Sequence, residues 1–242
     1  MYVGKNNYTY RKGDFLDKVK EKNVLPKTFD EFEEARQAGF LCSYTPLEII
    51  EAAGASGVAL CGTSNAVVPD AEKVLPKNMC PLIKSTYGFA YTETCPYTWF
   101  SDLIIGETTC DGKKKMYELL NDIKETYVMQ LPQAQNREWA SDAWYEECKL
   151  LKEKLENIYD IKITDEDLRE AVRKRNKQRE AYKKLFALQG MNPPAITGSE
   201  VALAMQKNLF SFDVNDVTET IDNTIEEALE KHKNGIYPVD PS

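Results

Sequence analysis

The chain has 242 residues, with 31 Lys and Arg against 39 Asp and Glu, a net charge of −8 and a pI of about 5.0. That balance excludes a nucleic-acid binder, which needs a clustered Lys/Arg surface to meet a phosphate backbone. No charged-then-apolar leader and no apolar run near the ~18 residues of a membrane span occurs, so the expectation is a cytosolic (cytoplasmic) protein of one large or two small domains.

Residues 1–36 are polar, with Asp30-Glu31-Phe32-Glu33-Glu34 inside an expected helix. Alternation then begins. Gly39-Phe40-Leu41-Cys42 reads as a short buried strand, followed by a helix over 46–53. Pro46 suits a first helical position, and Gly54 suits the C′ position. Gly57-Val58-Ala59-Leu60-Cys61 is a second strand, stopped by Gly62. A loop is expected over 63–78. Pro81 then opens a helix through about Ala90. Asp102-Leu103-Ile104-Ile105 reads as a strand, 112–124 as a helix, and Tyr127-Val128-Met129-Gln130-Leu131 as a strand. This alternating order predicts an α/β fold: a Rossmann-like, mostly parallel sheet with helices on both faces.

After Pro132 the pattern is helical, over 139–157, 165–188, 199–207 and 215–233. Thr164 with Asp167, and Thr197 with Glu200, each fit a helix N-cap followed by an acid three residues on. The basic run from Arg173 to Arg179 has acids on both sides and reads as a solvated helix face. The expected organisation is an N-terminal helical segment (1–36), a Rossmann-like cluster-binding domain (37–135) and a helical segment (136–242).

The six cysteines are Cys42, Cys61, Cys80, Cys95, Cys110 and Cys148. In a cytosolic chain they favour metal binding or catalysis over disulfides. His232 is the single histidine and lies in a Lys-rich terminal helix, which argues against Ser-His-Asp and Cys-His chemistry. No CxxC pair exists, so metal ligands must come from separate elements meeting at one edge of the fold. Cys42 and Cys61 end strands, Cys80 and Cys110 precede helices, and Cys95 lies in a loop leading to the strand at Asp102. The carboxyl edge of a parallel sheet is where ligands bind. Helix N-termini there carry partial positive charge, which favours the thiolate that binds metal. Cys148, inside a helix, reads as a small buried hydrophobe. For Cys42 a structural and a functional role stay open.

Several stretches resemble the 2-hydroxyacyl-CoA dehydratase / benzoyl-CoA reductase family. They are 39–54, Asn78-Met79-Cys80-Pro81-Leu82-Ile83-Lys84-Ser85, and Val128-Met129-Gln130-Leu131-Pro132. The most specific is Gly106-Glu107-Thr108-Thr109-Cys110-Asp111-Gly112-Lys113-Lys114-Lys115-Met116-Tyr117-Glu118. The resemblance covers roughly residues 36–200. It implies two Rossmann-like domains holding a low-potential 4Fe-4S cluster on three cysteines. Two of these match Cys80 and Cys110, and the third belongs to a C-terminal domain that this chain is expected to lack, either as a fragment or because a partner supplies it. Leu60-Cys61-Gly62 and Thr94-Cys95-Pro96-Tyr97 resemble the double-cubane cluster branch, in which Cys61, Cys80, Cys95 and Cys110 would be four ligands of a larger 8Fe-9S cluster.

By that resemblance the chain is the iron–sulfur, electron-accepting component of an ATP-dependent low-potential reductase of double-cubane type. It would reduce small molecules at the cluster. The alternatives are a subunit of a 2-hydroxyacyl-CoA dehydratase, a lyase that removes water from a CoA thioester by radical chemistry, and a non-catalytic truncated α/β module. The implied partners are an ATP-hydrolysing iron–sulfur activator and a second copy or related subunit. No GxxxxGK[ST] phosphate loop occurs, so ATP is not expected on this chain. Glu48, on the first turn of a helix, is the candidate for proton relay, or else an ordinary helix N-terminal acid. Lys84 and Ser85 are expected to shape their helix or bond the cluster region. Lys113, Lys114 and Lys115 read as a solvated face, and Trp99 and Phe100 as core.

Overall fold

The computed structural model describes residues 36–60, 62–209 and 211–238. The helix expected at 30–34 and Cys61 lie outside the described residues. Four parallel strands form one sheet: β1 (Gln37–Phe40), β2 (Ser56–Ala59), β3 (Leu103–Glu107) and β4 (Thr126–Met129). Their order is β2-β1-β3-β4. Ala38 faces Gly57 on one side and Leu103 on the other, and Phe40 lies between Ala59 and Ile105. All residues of β1 and β3 are buried. Such unbroken burial belongs to central strands covered on both faces.

Helix α1 (Leu47–Ala52) links β1 to β2, while α3 (Pro81–Tyr91) and α5 (Asp111–Ile123) flank β3 in the chain. Helix α6 (Ala140–Tyr159) packs on α1, and α5 packs on α3. Right-handed crossovers in opposite directions from the central pair place these two sets on opposite faces. Leu41, Ile50, Leu103, Ile104, Ile105, Met116, Leu120 and Met129 are fully buried. Each contributes roughly 1.5–3 kcal/mol through its loss of apolar surface to water.

Four local expectations are corrected. Pro46 is the N-cap of α1, with extended ψ of 91°, not its first helical residue. Gly54 does occupy the position after the Ala53 cap, at φ +65°. The stretch expected as loop over 63–78 contains a 3₁₀ turn (Asn65–Val67) and a short helix α2 (Val68–Ala71), started by the Ser64 hydroxyl accepting from Ala66 N. The loop before β3 contains α4 (Pro96–Phe100). Trp99 and Phe100 lie on it half-buried, so they are not core. Five residues make little more than one turn, too short for periodicity to register.

The amino ends of the central strands are tied by polar contacts. Asp102 Oδ2 accepts from Gln37 N at 2.9 Å and from the Tyr159 hydroxyl at 3.1 Å. Burial and the Asp102 charge push the Tyr159 hydroxyl upward in pKa, and Arg36 stacks over its ring. Lys124 donates to the Trp99 carbonyl at 2.9 Å, and burial lowers its pKa to about 8. Between pH 8 and its ordinary value of 10.5 the unfolded chain keeps a proton that the folded chain has released. Stability from this group therefore rises with pH across that window. Below it the cost of the buried charge is on the order of 3 kcal/mol. Urea unfolding should show wild type gaining on Lys124→Met between pH 7.5 and 10; a pH-independent difference would refute the assignment.

The chain divides after Lys162 into two compact units. The second holds α7 (Asp165–Ala187), a 3₁₀ turn (Leu188–Gly190), α8 (Gly198–Asn208) and α9 (Val214–Lys233). Ala181, Leu185, Ile196, Val201, Val217, Ile221 and Ile225 form its core. Both expected caps are present: Asp167 N donates to Thr164 Oγ1 and Glu200 N to Thr197 Oγ1, each at 3.2 Å, with the acids bonding back. Arg173 pairs with Glu166 and Lys174 with Glu170 on an exposed face, as read from the sequence. No described helix is long and apolar enough to cross a membrane.

Candidate functional site

The sheet reverses its winding between β1 and β3, because β1 leads outward to β2 while β3 leads to β4 on the other side. In open α/β sheets the crevice beyond the carboxyl ends at that point takes ligands. Cys42 and Cys110 follow the carboxyl ends of β1 and β3 on this edge.

Cys80 is the N-cap of α3 and Cys110 the N-cap of α5. Each is exposed, and neither side chain caps its own helix. Pro81 suits the first position of α3, where a missing N–H costs nothing. Both thiols therefore stand at helix starts with partial positive charge around them. Cys42 lies two residues past β1, half-buried, and accepts from the Thr109 hydroxyl at 3.8 Å.

Cys95 is placed differently from the loop position expected. It is the N-cap of α4, and its Sγ accepts from Thr98 N at 3.5 Å. Burial pushes its thiol up in pKa, while the Thr98 hydrogen bonds pull it down. Cys148 sits half-buried on α6, pushed up by burial and then by the charges of Glu147 and Glu48. Glu48 thus stands on the first turn of α1 within electrostatic reach of α6.

The helix carrying Cys80 is anchored firmly. Lys84 is buried, and its ammonium pairs with Glu72 at 2.6 Å and donates to the Lys77 carbonyl. Ser85 donates to the Ser64 carbonyl at 2.6 Å, and Gly62 N donates to Thr86 Oγ1 at 2.9 Å. A Cβ on Gly62 would lie 2.5 Å from the backbone of Ser85 and Thr86. Lys84 and Ser85 therefore shape α3 and the chain leading into it.

Two further features escaped the sequence reading. Lys113, expected on a solvated face, reaches across to the Leu41 carbonyl. Lys114 and Lys115 pair with Asp111 and Glu118 on the surface as expected. Glu107 ends β3 with no solvent exposure; its Oε1 accepts from the Thr45 hydroxyl at 3.0 Å, and Oε2 has no hydrogen-bond partner among the described residues. The signal was present as one acid closing the apolar run Leu103-Ile104-Ile105-Gly106. A buried carboxyl with one oxygen unpaired is costly to keep from water.

Beside this crevice lies a cleft of about 630 Å³. Tyr44 lines it from the β1 loop, Thr108 and Thr109 from the end of β3, and Trp144 from α6. The Thr108 hydroxyl accepts from Leu131 N at 2.8 Å, which fixes the floor. The lining is neutral and partly aromatic, suited to a ligand group without charge.

As donors, exposed thiols at helix starts fit an iron–sulfur cluster, since thiolates are its ordinary ligands. Their number does not complete a site: among the described residues no group of three or more Cys, His, Asp or Glu is placed to hold a metal.

The family model described as "2-hydroxyglutaryl-CoA dehydratase, D-component" matches residues 42–241. The chain is 42% identical over 214 residues to the putative dehydratase subunit YjiM of Escherichia coli (strain K12), covering 82% of this chain and 56% of that one. It is 27% identical over 218 residues to the (R)-phenyllactyl-CoA dehydratase beta subunit of Clostridium sporogenes, covering 88% and 57%. It is 24% identical over 170 residues to a benzoyl-CoA reductase subunit of Thauera aromatica, covering 69% and 43%. The chain spans about half the length of the curated relatives it matches.

Proposed function

Because the chain belongs to the 2-hydroxyglutaryl-CoA dehydratase D-component family, we propose that it is a cluster-bearing unit of an iron–sulfur enzyme acting on CoA thioesters, of the dehydratase type. The observation that carries this reading is the pair of exposed thiols, Cys80 and Cys110, at two helix starts on the carboxyl edge of the sheet. A 4Fe-4S cluster, when bound, would supply one electron at low potential. Cys80 and Cys110 would hold it, and the ligand set would be completed by protein beyond the described residues. The neutral cleft beside Thr109, bordered by Tyr44 and Trp144, would seat the acyl part of the thioester. An ATP-hydrolysing iron–sulfur activator would deliver the electron, and a related subunit would complete the assembly.

A double-cubane reductase is the second reading, and it stands on Cys61 and Cys95. The half-burial of Cys95 and its use as a helix cap favour the single cluster. Glu48 retains the proton-relay role as a proposal.

The deciding experiment is anaerobic purification of the chain with its co-purifying subunit, followed by iron, acid-labile sulfide and EPR analysis. About four iron per complete site supports the dehydratase type, and about eight supports the double cubane. Absence of iron after anaerobic reconstitution, or zinc alone, refutes both.

A further inference from the structure

The segment from Glu107 to Lys113 holds the loop after β1 at three points. Leu41 N still donates to Ile105 O at 3.1 Å, as the last rung of the β1–β3 ladder. Past it, side chains take over. Lys113 donates to the Leu41 carbonyl, Thr109 to Cys42 Sγ, and Thr45 to Glu107 Oε1. Of these, the Thr45–Glu107 contact is the buried one.

Glu107 presents its carboxyl from a rigid base. Its N–H donates to the Tyr117 hydroxyl at 3.2 Å, and that hydroxyl lies 3.1 Å from the Glu107 carbonyl, which it donates to in turn. Met129 on β4 is its register partner. An apolar residue would fit a strand end with no exposure at no desolvation cost, whereas a carboxyl there is costly. What the carboxyl holds there is Thr45, whose hydroxyl donates to its Oε1 at 3.0 Å.

We propose that Glu107 is a positioning residue: through Thr45 it sets the loop 41–46, and with it Cys42 and the Tyr44 wall of the cleft, at a fixed distance from the Cys110 end of α5. The strut itself is independent of any cluster. Its consequence for the cluster rests on the iron–sulfur reading above.

Two arms separate these. In the first, the metal-free protein is alkylated with iodoacetamide and each thiol is followed by peptide mass spectrometry. Thr45→Val, which keeps the β-branched shape, and Glu107→Leu should each raise the rate at Cys42 about tenfold, the factor expected from losing one buried hydrogen bond that limits local opening. Cys148, on α6, should stay within about twofold, because the strut acts locally. Glu107→Gln keeps an acceptor oxygen and should restore the wild-type rate. An unchanged Cys42 rate in Thr45→Val overturns the proposal. So does an equal rise at Cys148, which would mean general loosening. So does Glu107→Gln behaving like Glu107→Leu, which would mean that an acceptor oxygen at this position is not what holds the loop.

In the second arm the assembled protein is loaded anaerobically. Thr45→Val should keep its iron but shift the EPR signature of the reduced cluster, whereas Glu107→Gln, which keeps an acceptor for Thr45, should leave the wild-type signature. Iron retained with an unaltered signature overturns the positioning role toward the cluster. A wild type that loads no iron, combined with the expected alkylation pattern, removes the iron–sulfur reading and leaves the strut standing.

Discussion

Cys110→Ser, in the anaerobically assembled protein, should reduce bound iron by more than tenfold and abolish turnover. Changes to groups that merely support metal ligands already cost about 10–100-fold in affinity, and loss of a ligand exceeds that. Serine preserves the shape and the N-cap geometry at the start of α5, so the helix should persist. Its hydroxyl stays protonated at neutral pH and is a poor substitute for a thiolate on iron. Cys80→Ser should behave in the same way at the start of α3. Cys148→Ser, inside α6 rather than at a helix start, should keep its iron. Iron and sulfide analysis of the three variants checks the prediction. A Cys110→Ser protein that retains full iron would remove Cys110 from the ligand set and leave the exposed N-cap thiol without a role.

The second large effect is on stability. Gly88→Ala should lower the melting temperature, although alanine in a helix interior ordinarily stabilises by about 1 kcal/mol. Gly88 lies inside α3, where a Cβ would come 2.4 Å from the Val67 carbonyl oxygen and 3.0 Å from its carbonyl carbon. These atoms are backbone of a 3₁₀ turn and cannot swing aside as a flexible side chain would. Overpacking of this kind costs about 1–3 kcal/mol or more. The net loss should be on the order of 2 kcal/mol, or a fall of roughly 4–8 °C for a protein of this size. Separating α3 from the turn also strains the Ser85–Ser64 and Thr86–Gly62 contacts that steady the helix carrying Cys80. Iron loading should therefore weaken in parallel. Thermal unfolding measures the first effect, and a melting temperature equal to or above wild type would refute it.

Much of the fold was legible in the chain itself. The apolar runs at 39–42 and 102–105 marked the two central strands, and the amphipathic stretches after Pro132 marked the helices. Local punctuation was read well where a single residue carries the cause. Gly54 supplies a left-handed turn, Pro81 opens a helix, and Thr164 and Thr197 cap two others. Punctuation failed where the element is short. Helix α4 spans five residues and α2 four, and neither has a repeat long enough to show. Cys95 was read as a loop cysteine for that reason, when its sulfur starts a helix turn.

The candidate site divides along the same line. That Cys80 and Cys110 stand at helix starts follows from nearest neighbours in sequence: a proline after one, an acid and a glycine after the other. Helix initiation is decided within one turn, so the sequence determines it by itself. The contacts that give the site its shape span far greater separations. Thr45 meets Glu107 across 62 residues, Lys113 meets Leu41 across 72, and Gly62 meets Thr86 across 24. Nothing local distinguishes Lys113 from Lys114 and Lys115, and Glu107 looks like the first residue of a polar loop. Only the pairing of β1 with β3, and the packing of α5 over them, brings Lys113 to a carbonyl and seals Glu107 from water. Hydrogen bonds and desolvation act over a few ångströms of space, whatever the distance along the chain, so those roles belong to the tertiary structure.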